Sequence, residues 1–128
     1  ACDLAKKYAQ EKLHRGKPIA KFPTIQSKMA QIAANTLSAQ LMLYKAAEDA
    51  DTIKDDLRKV QCSTALLKGY VADLAVATNV MALNVLASYG VTKEYKVERF
   101  VRDSLIGPNI EGSADIQRLI AGGYILRH

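Results

Sequence analysis

The chain contains no tryptophan, two cysteines, three prolines and seven glycines, and aromatic residues make up only 6% of it. Each scarcity excludes something. Two cysteines, Cys2 and Cys62, cannot build a disulfide framework, and they form no metal-ligand spacing with His14 or His128. Cys62 lies in a helical apolar pattern and reads as a small buried hydrophobe. Free thiols fit a reducing compartment. Both histidines read as surface residues. Prolines and glycines cluster at 16–23, at 90, at 107–112 and at 122–123, and only Gly69 interrupts a long stretch between them. No alternation of period two rich in β-branched residues occurs, so strands are not expected. No run of about 18 uninterrupted apolar residues is present, which predicts no transmembrane helix. No charged leader runs into an apolar segment and cleavage site, so no secretory signal is expected. The first residue is Ala rather than Met, which reads as a processed product or a fragment.

What is there is a domain-sized chain of 128 residues, 49% hydrophobic and 24% charged. Those proportions describe one globular domain with an aliphatic core. The net charge of +5 is concentrated: residues 1–28 carry seven Lys or Arg against two acids, and residues 29–128 carry eleven of each sign. Such a basic region is a solvated face or a polyanion site, and a nucleotide-type phosphate would suit it as well as a nucleic acid. Stacking aromatics do not alternate with these cations, so an RNA or DNA surface is not expected.

Long unpunctuated stretches predict helices. A first helix is expected over 2–14, then a connection over 15–22. A long helix follows from Thr24 to Ala50, with an apolar stripe of Ile25, Met29, Ile32, Leu37, Leu41 and Tyr44. Glu48, Asp49 and Asp51 are poor residues for a helix C-terminus and better ones for the next start, so the break is placed there. A third helix is expected from Thr52 to Ser88, with Asp55 and Asp56 in its first turn and Gly90 as its stop. A short helix over 94–105 precedes a loop over 106–112. The last helix is expected over 113–126, with Ser113 as N-cap and Asp115 in the first turn. The two long helices call for an all-α, up-and-down four-helix bundle. The first helix is too short to match them and reads as truncated.

Five segments resemble, in order and spacing, the C-terminal helical domain of the flavin-dependent acyl-CoA dehydrogenases of short- or medium-chain type. Tyr8-Ala-Gln-Glu-Lys-Leu-His-Arg-Gly-Lys-Pro-Ile19 resembles the family's Y-A-x-x-R-x-x-F-G-x-P-I. Leu41-Met-Leu-Tyr-Lys-Ala-Ala47 resembles L-x-x-Y-x-A-A, and Ala82-Leu-Asn-Val-Leu-Ala-Ser-Tyr-Gly90 resembles A-x-Q-x-x-G-G-x-G. Val97-Glu-Arg-Phe-Val-Arg-Asp103 matches V-E-R-x-x-R-D, and Ile110-Glu-Gly-Ser-Ala-Asp-Ile-Gln-Arg118 resembles Y-E-G-T-S-E-I-Q-R. The resemblance covers nearly all of the chain.

It implies α,β-dehydrogenation of an acyl-CoA thioester with FAD as cofactor. A carboxylate removes the α-proton while hydride leaves the β-carbon for the flavin, because no side chain accepts hydride. Glu111 stands at the position of that base, which needs a dry setting to raise its pKa. Lys12, Arg15, Asn84, Ser113 and Asp115 stand at positions implied to contact FAD. Several depart from the family pattern. Lys12 replaces an arginine and loses its planar fork. Arg15 replaces a phenylalanine, Pro23 a glutamine, Asn84 a glutamine, and Ala87 and Ser88 two glycines. Ile110 replaces the tyrosine before the base, and Asp115 a glutamate. Glu98, Arg99, Arg102 and Asp103 keep the pattern and read as an ion-pair network. The family further implies a homo- or hetero-tetramer, an electron-transfer flavoprotein as acceptor, and a mitochondrial-matrix or bacterial-cytoplasmic setting. The domains that complete the flavin site would lie in a larger chain or a complementary subunit. Two other readings remain: an assembly subunit that keeps the bundle without a working flavin site, and a polyanion-binding module using residues 1–28.

Overall fold

The computed structural model describes residues 1–127; His128, expected at the surface, lies outside the described residues. Among the described residues five α-helices carry the fold, joined by turns. Helix α1 spans Cys2–Glu11 and ends earlier than expected, because Lys12 turns to extended backbone while its N–H still reaches the Tyr8 carbonyl. Strands β1 (Leu13–His14) and β2 (Lys17–Pro18) then pair antiparallel, Leu13 with Pro18 and His14 with Lys17. Their turn is left-handed at both central residues, Arg15 (φ 49°) and Gly16 (φ 74°), which is the geometry a two-residue hairpin requires. The expectation of no strand missed this ladder, which is too short to show alternation.

Helix α2 spans Pro23–Thr52 and helix α3 spans Leu57–Leu86. Pro23 opens α2, where a missing N–H costs nothing. Glu48, Asp49 and Asp51 stay inside α2 rather than starting the next helix. Lys45 compensates for them, reaching Glu48 at 3.2 Å and Asp49 at 2.8 Å. Asp56, expected inside α3, caps it instead, its Oδ1 accepting the Lys59 N–H at 3.0 Å. Helix α3 stops at Leu86 because Ala87 is left-handed (φ 52°). Gly90 follows in a 3-10 turn over Ala87–Val91. A second 3-10 turn over Lys93–Tyr95 leads to α4 (Val97–Ser104). Helix α5 spans Ala114–Ile125 with Ser113 as N-cap, as expected.

The chain forms two compact units. The first comprises Ala1–Thr36 and Ala75–Leu105. Its core is Ala5 and Ala9 of α1, Ile32 of α2, Ala82, Val85 and Leu86 of α3, and Val97 of α4. Three alanines at the contacts let the helix axes approach closely, and Ile25 and Met29 pack around them. The Asn35 amide donates to the Thr78 hydroxyl at 3.0 Å, tying α2 to α3. On α4, Arg102 pairs with Glu98 at 2.7 Å and Arg99 with Asp103 at 3.3 Å. The expected network is therefore two pairs within one helix.

The second unit comprises Leu37–Leu74 and Ile106–His128. Cys62, Ala65 and Ala121 form its small core, with Ile120 and Tyr124 against them. Cys62 is buried, as expected. Polar ties do much of the joining here. Ser63 donates to Asp49, Lys68 donates to the Gly107 carbonyl, and Arg118 donates to the Gly69 carbonyl at 2.8 Å and to Asp73. The apolar stripe of α2 does not stay buried: Leu37, Leu41 and Tyr44 are 55%, 59% and 67% exposed.

Helix α3 also corrects the membrane expectation. The stretch Leu57–Val91 is long and apolar enough to cross a membrane, with a mean hydropathy of 1.5 over 18 residues. A criterion of uninterrupted apolar residues misses it, because Thr78, Asn79 and other polar residues break the run. A bundle core helix meets the same length and composition test, and the Arg118–Asp73 pair together with the Lys68 bond fastens α3 to its neighbours.

Two outcomes follow. A Cβ on Gly90 would lie 2.5 Å from the Leu83 carbonyl oxygen, so Gly90→Ala should destabilise the protein by about 1–3 kcal/mol in denaturant unfolding. Lys45 and then Ser63 hold the Asp49 carboxyl below its usual pKa. The stabilisation is complete above the unfolded value of about 4 and is lost as pH falls through the lower folded value. The stability difference between wild type and Asp49→Asn should therefore shrink on acidification below pH ~4, and a difference independent of pH would contradict this.

Candidate functional site

The six residues singled out from the sequence fall into two groups, one in each compact unit. In the first unit Lys12 closes α1. Its N–H donates to the Tyr8 carbonyl and its own carbonyl accepts the Ile19 N–H, both at 2.8 Å. Both backbone groups are thus fixed, and the side chain leaves from a defined point. The Lys12 ammonium sits over the Tyr89 ring, 4.7 Å from its centroid. Arg15 stands exposed on the left-handed hairpin turn next to exposed Lys17. Among the described residues no carboxylate pairs with Lys12, Arg15 or Lys17. Asn84 is exposed on the last turn of α3.

Tyr89 is the feature that sequence reasoning missed. Tyr8, Tyr89 and Tyr95 form a ring cluster with centroids 5.4–6.1 Å apart. Only Tyr8, one turn before Lys12, lies near it in the chain; the other two arrive by folding. Burial raises the Tyr8 pKa, and the nearby Lys12 charge works against that rise.

In the second unit the chain enters α5 through two consecutive left-handed residues, Glu111 (φ 55°) and Gly112 (φ 81°). Glycine suits position 112 because a φ of 81° is a backbone conformation that strains any residue with a Cβ. Glu111 has a side chain and holds the same region at a cost. It is exposed, so the dry setting expected of a base is not supplied by the packing of this chain. Ser113 accepts the Ile116 N–H at 3.4 Å as the N-cap. Its O–H remains available as a donor. Asp115 pairs with Arg118 at 3.0 Å through one oxygen. Ile110, just ahead of Glu111, is 44% exposed.

Taken unit by unit, these donors are each compatible with part of a flavin dinucleotide. Two unpaired cations beside a hairpin suit a pyrophosphate, the Asn84 amide offers both donor and acceptor, and the Ser113 hydroxyl and the second Asp115 oxygen suit sugar or ribityl hydroxyls. Shallow cavities also lie among the described residues of the second unit. One of about 370 Å³ is lined by Arg58, Gln61, Leu119 and Tyr124 among others, and one of about 130 Å³ by Leu66, Tyr70 and Arg118 among others. None of the six candidates lines either.

The family model for the acyl-CoA dehydrogenase C-terminal domain matches residues 1–126. The chain belongs to the acyl-CoA dehydrogenase family and corresponds to that helical domain. It is 34% identical over 125 residues to the rat mitochondrial short-chain specific acyl-CoA dehydrogenase, covering 98% of this chain and 29% of that relative. Among solved structures it is similar to butyryl-CoA dehydrogenase from Megasphaera elsdenii, with a TM-score of 0.91 and 29% identity over 98% of this chain and 32% of that one. An acyl-CoA dehydrogenase from Bacillus anthracis complexed with FAD is 28% identical with a TM-score of 0.84, over 98% of this chain and 25% of that one. The chain thus spans about a third or less of these proteins.

Removing the α5 cap tests the local geometry. Ser113→Ala should cost about 0.5–1 kcal/mol in denaturant unfolding, and Ser113→Asp should restore most of it. An alanine variant as stable as wild type would show that the 3.4 Å bond holds nothing.

Proposed function

We propose that this chain is the C-terminal helical domain of an acyl-CoA dehydrogenase that oxidises an acyl-CoA thioester to its α,β-unsaturated product, with Glu111 as the base. The observation that carries the reading is the paired left-handed backbone at Glu111 and Gly112. Strain of this kind persists where the surrounding structure enforces it and clusters at functional sites. It projects a carboxylate from the tight entry to α5, at the position where the family resemblance puts the catalytic base.

Glu111 takes the α-proton of the thioester onto a carboxylate oxygen. Desolvation of that carboxylate, by parts of the protein beyond this chain, makes it a stronger base. FAD, when bound, supplies the hydride acceptor that side chains lack. In the first unit Lys12 and Arg15 hold an anionic pyrophosphate and Asn84 adds an amide hydrogen bond; separately, in the second unit, Ser113 and Asp115 hold flavin hydroxyls. The exposed apolar residues of α2 and α3, including Leu37, Leu41, Leu57 and Leu66, are covered by further domains and by other copies in a tetramer. An electron-transfer flavoprotein reoxidises the enzyme, in a mitochondrial matrix or a bacterial cytoplasm.

A second reading is favoured by a specific pattern. The bundle positions keep the family's residues, while Lys12, Arg15, Asn84, Ala87 and Ser88 depart from its flavin-contacting ones. On this reading the domain serves assembly without flavin.

Glu111→Gln in the complete protein should leave bound FAD unchanged and slow flavin bleaching by acyl-CoA by at least about 100-fold. Undiminished bleaching would remove Glu111 from the chemistry.

A further inference from the structure

We infer that Tyr89 is a positioning residue for the cofactor: its ring fixes the Lys12 ammonium so that this single cation does the work of a planar guanidinium. The inference rests on the reading above that Lys12 holds the flavin pyrophosphate. A lysine is a compact point charge on a flexible stem, and freezing that stem on a ligand costs affinity. Lys12 starts from a backbone fixed at both its N–H and its carbonyl. Its ammonium lies 4.7 Å from the Tyr89 ring centroid. One face of the ammonium is held by the ring, and N–H donors remain for a phosphate oxygen.

The ring itself is held by two others that also pack on each other. Tyr8 approaches it at 6.1 Å, Tyr95 meets it near edge-on at 5.4 Å, and Tyr8 meets Tyr95 edge-on at 5.6 Å. Edge-to-face contacts of this kind prefer one arrangement over free rotation. The Tyr89 backbone is equally constrained. Its carbonyl accepts both the Thr92 N–H at 3.2 Å and the Thr92 hydroxyl at 3.0 Å. It stands in a turn that starts at left-handed Ala87 and closes on Gly90, where only glycine clears the Leu83 carbonyl. The sequence A-S-Y-G therefore places a ring under a charge that arrives from the end of α1.

The test is a double-mutant cycle on the affinity of the complete protein for FAD, read by flavin fluorescence on adding FAD to the apoprotein. Tyr89→Leu should weaken binding about fivefold, and Tyr89→Phe should stay within about twofold because the ring remains. Lys12→Met, which leaves the tyrosines alone, should weaken binding at least as much as Tyr89→Leu. In the Lys12→Met background Tyr89→Leu should add nothing, since its effect passes through the ammonium. Equal losses in both backgrounds would make Tyr89 merely structural and overturn the inference. So would unchanged or tighter binding by Tyr89→Leu, which would mean that the ring competes with the phosphate for Lys12. If Tyr89→Leu fails to fold, Tyr89→Met replaces it in the same cycle. Wild-type protein that binds no FAD would instead overturn the flavin reading, and the inference with it.

Discussion

The backbone has to reverse at Glu111 and Gly112 to enter α5, and this constraint sets what is proposed for the carboxylate at 111. Two left-handed residues in succession make the reversal. Gly112 takes its place because its φ of 81° favours a residue without a Cβ. Glu111 takes its place against its own preference. Ser113 then caps α5, Asp115 pairs with Arg118 in the first turns, and Arg118 reaches across to Asp73 and the Gly69 carbonyl on α3. The carboxylate at 111 is thus displayed at the entry to a helix that Arg118 ties to α3.

Part of this was legible in the sequence. The long helices, the Ser113 cap and the buried Cys62 follow from periodicity and cap chemistry, which act locally. The acid cluster at the end of α2 was misplaced, since its compensation comes from Lys45 one turn back and from Ser63 on α3. The α2 stripe is apolar along its length, yet its Leu37, Leu41 and Tyr44 are exposed. Periodicity identifies an apolar face, but not which part of it this chain covers itself. The hairpin at 13–18 was missed because two-residue strands carry no period. The candidate site divided in the same way. Motif spacing pointed to Glu111, Lys12 and Arg15, whereas Tyr89 and Tyr95 join Lys12 and Tyr8 only through tertiary folding.

The uncovered apolar surface and the exposed candidate base belong to one picture. A carboxylate in water is a poor base for an α-proton, and large exposed leucines are costly in isolation. Both difficulties are resolved if further protein closes over these helices. That arrangement fits a chain spanning about a third or less of its relatives.

The central claim is that the bundle still serves flavin chemistry despite its altered contact residues. The most direct measurement is the visible absorption spectrum of the complete purified protein before and after addition of a short acyl-CoA under anaerobic conditions. The account predicts a yellow protein with flavin approaching one per chain that bleaches when the thioester is added. A correctly folded, colourless protein that takes up no FAD would contradict it and leave assembly as the role of the domain.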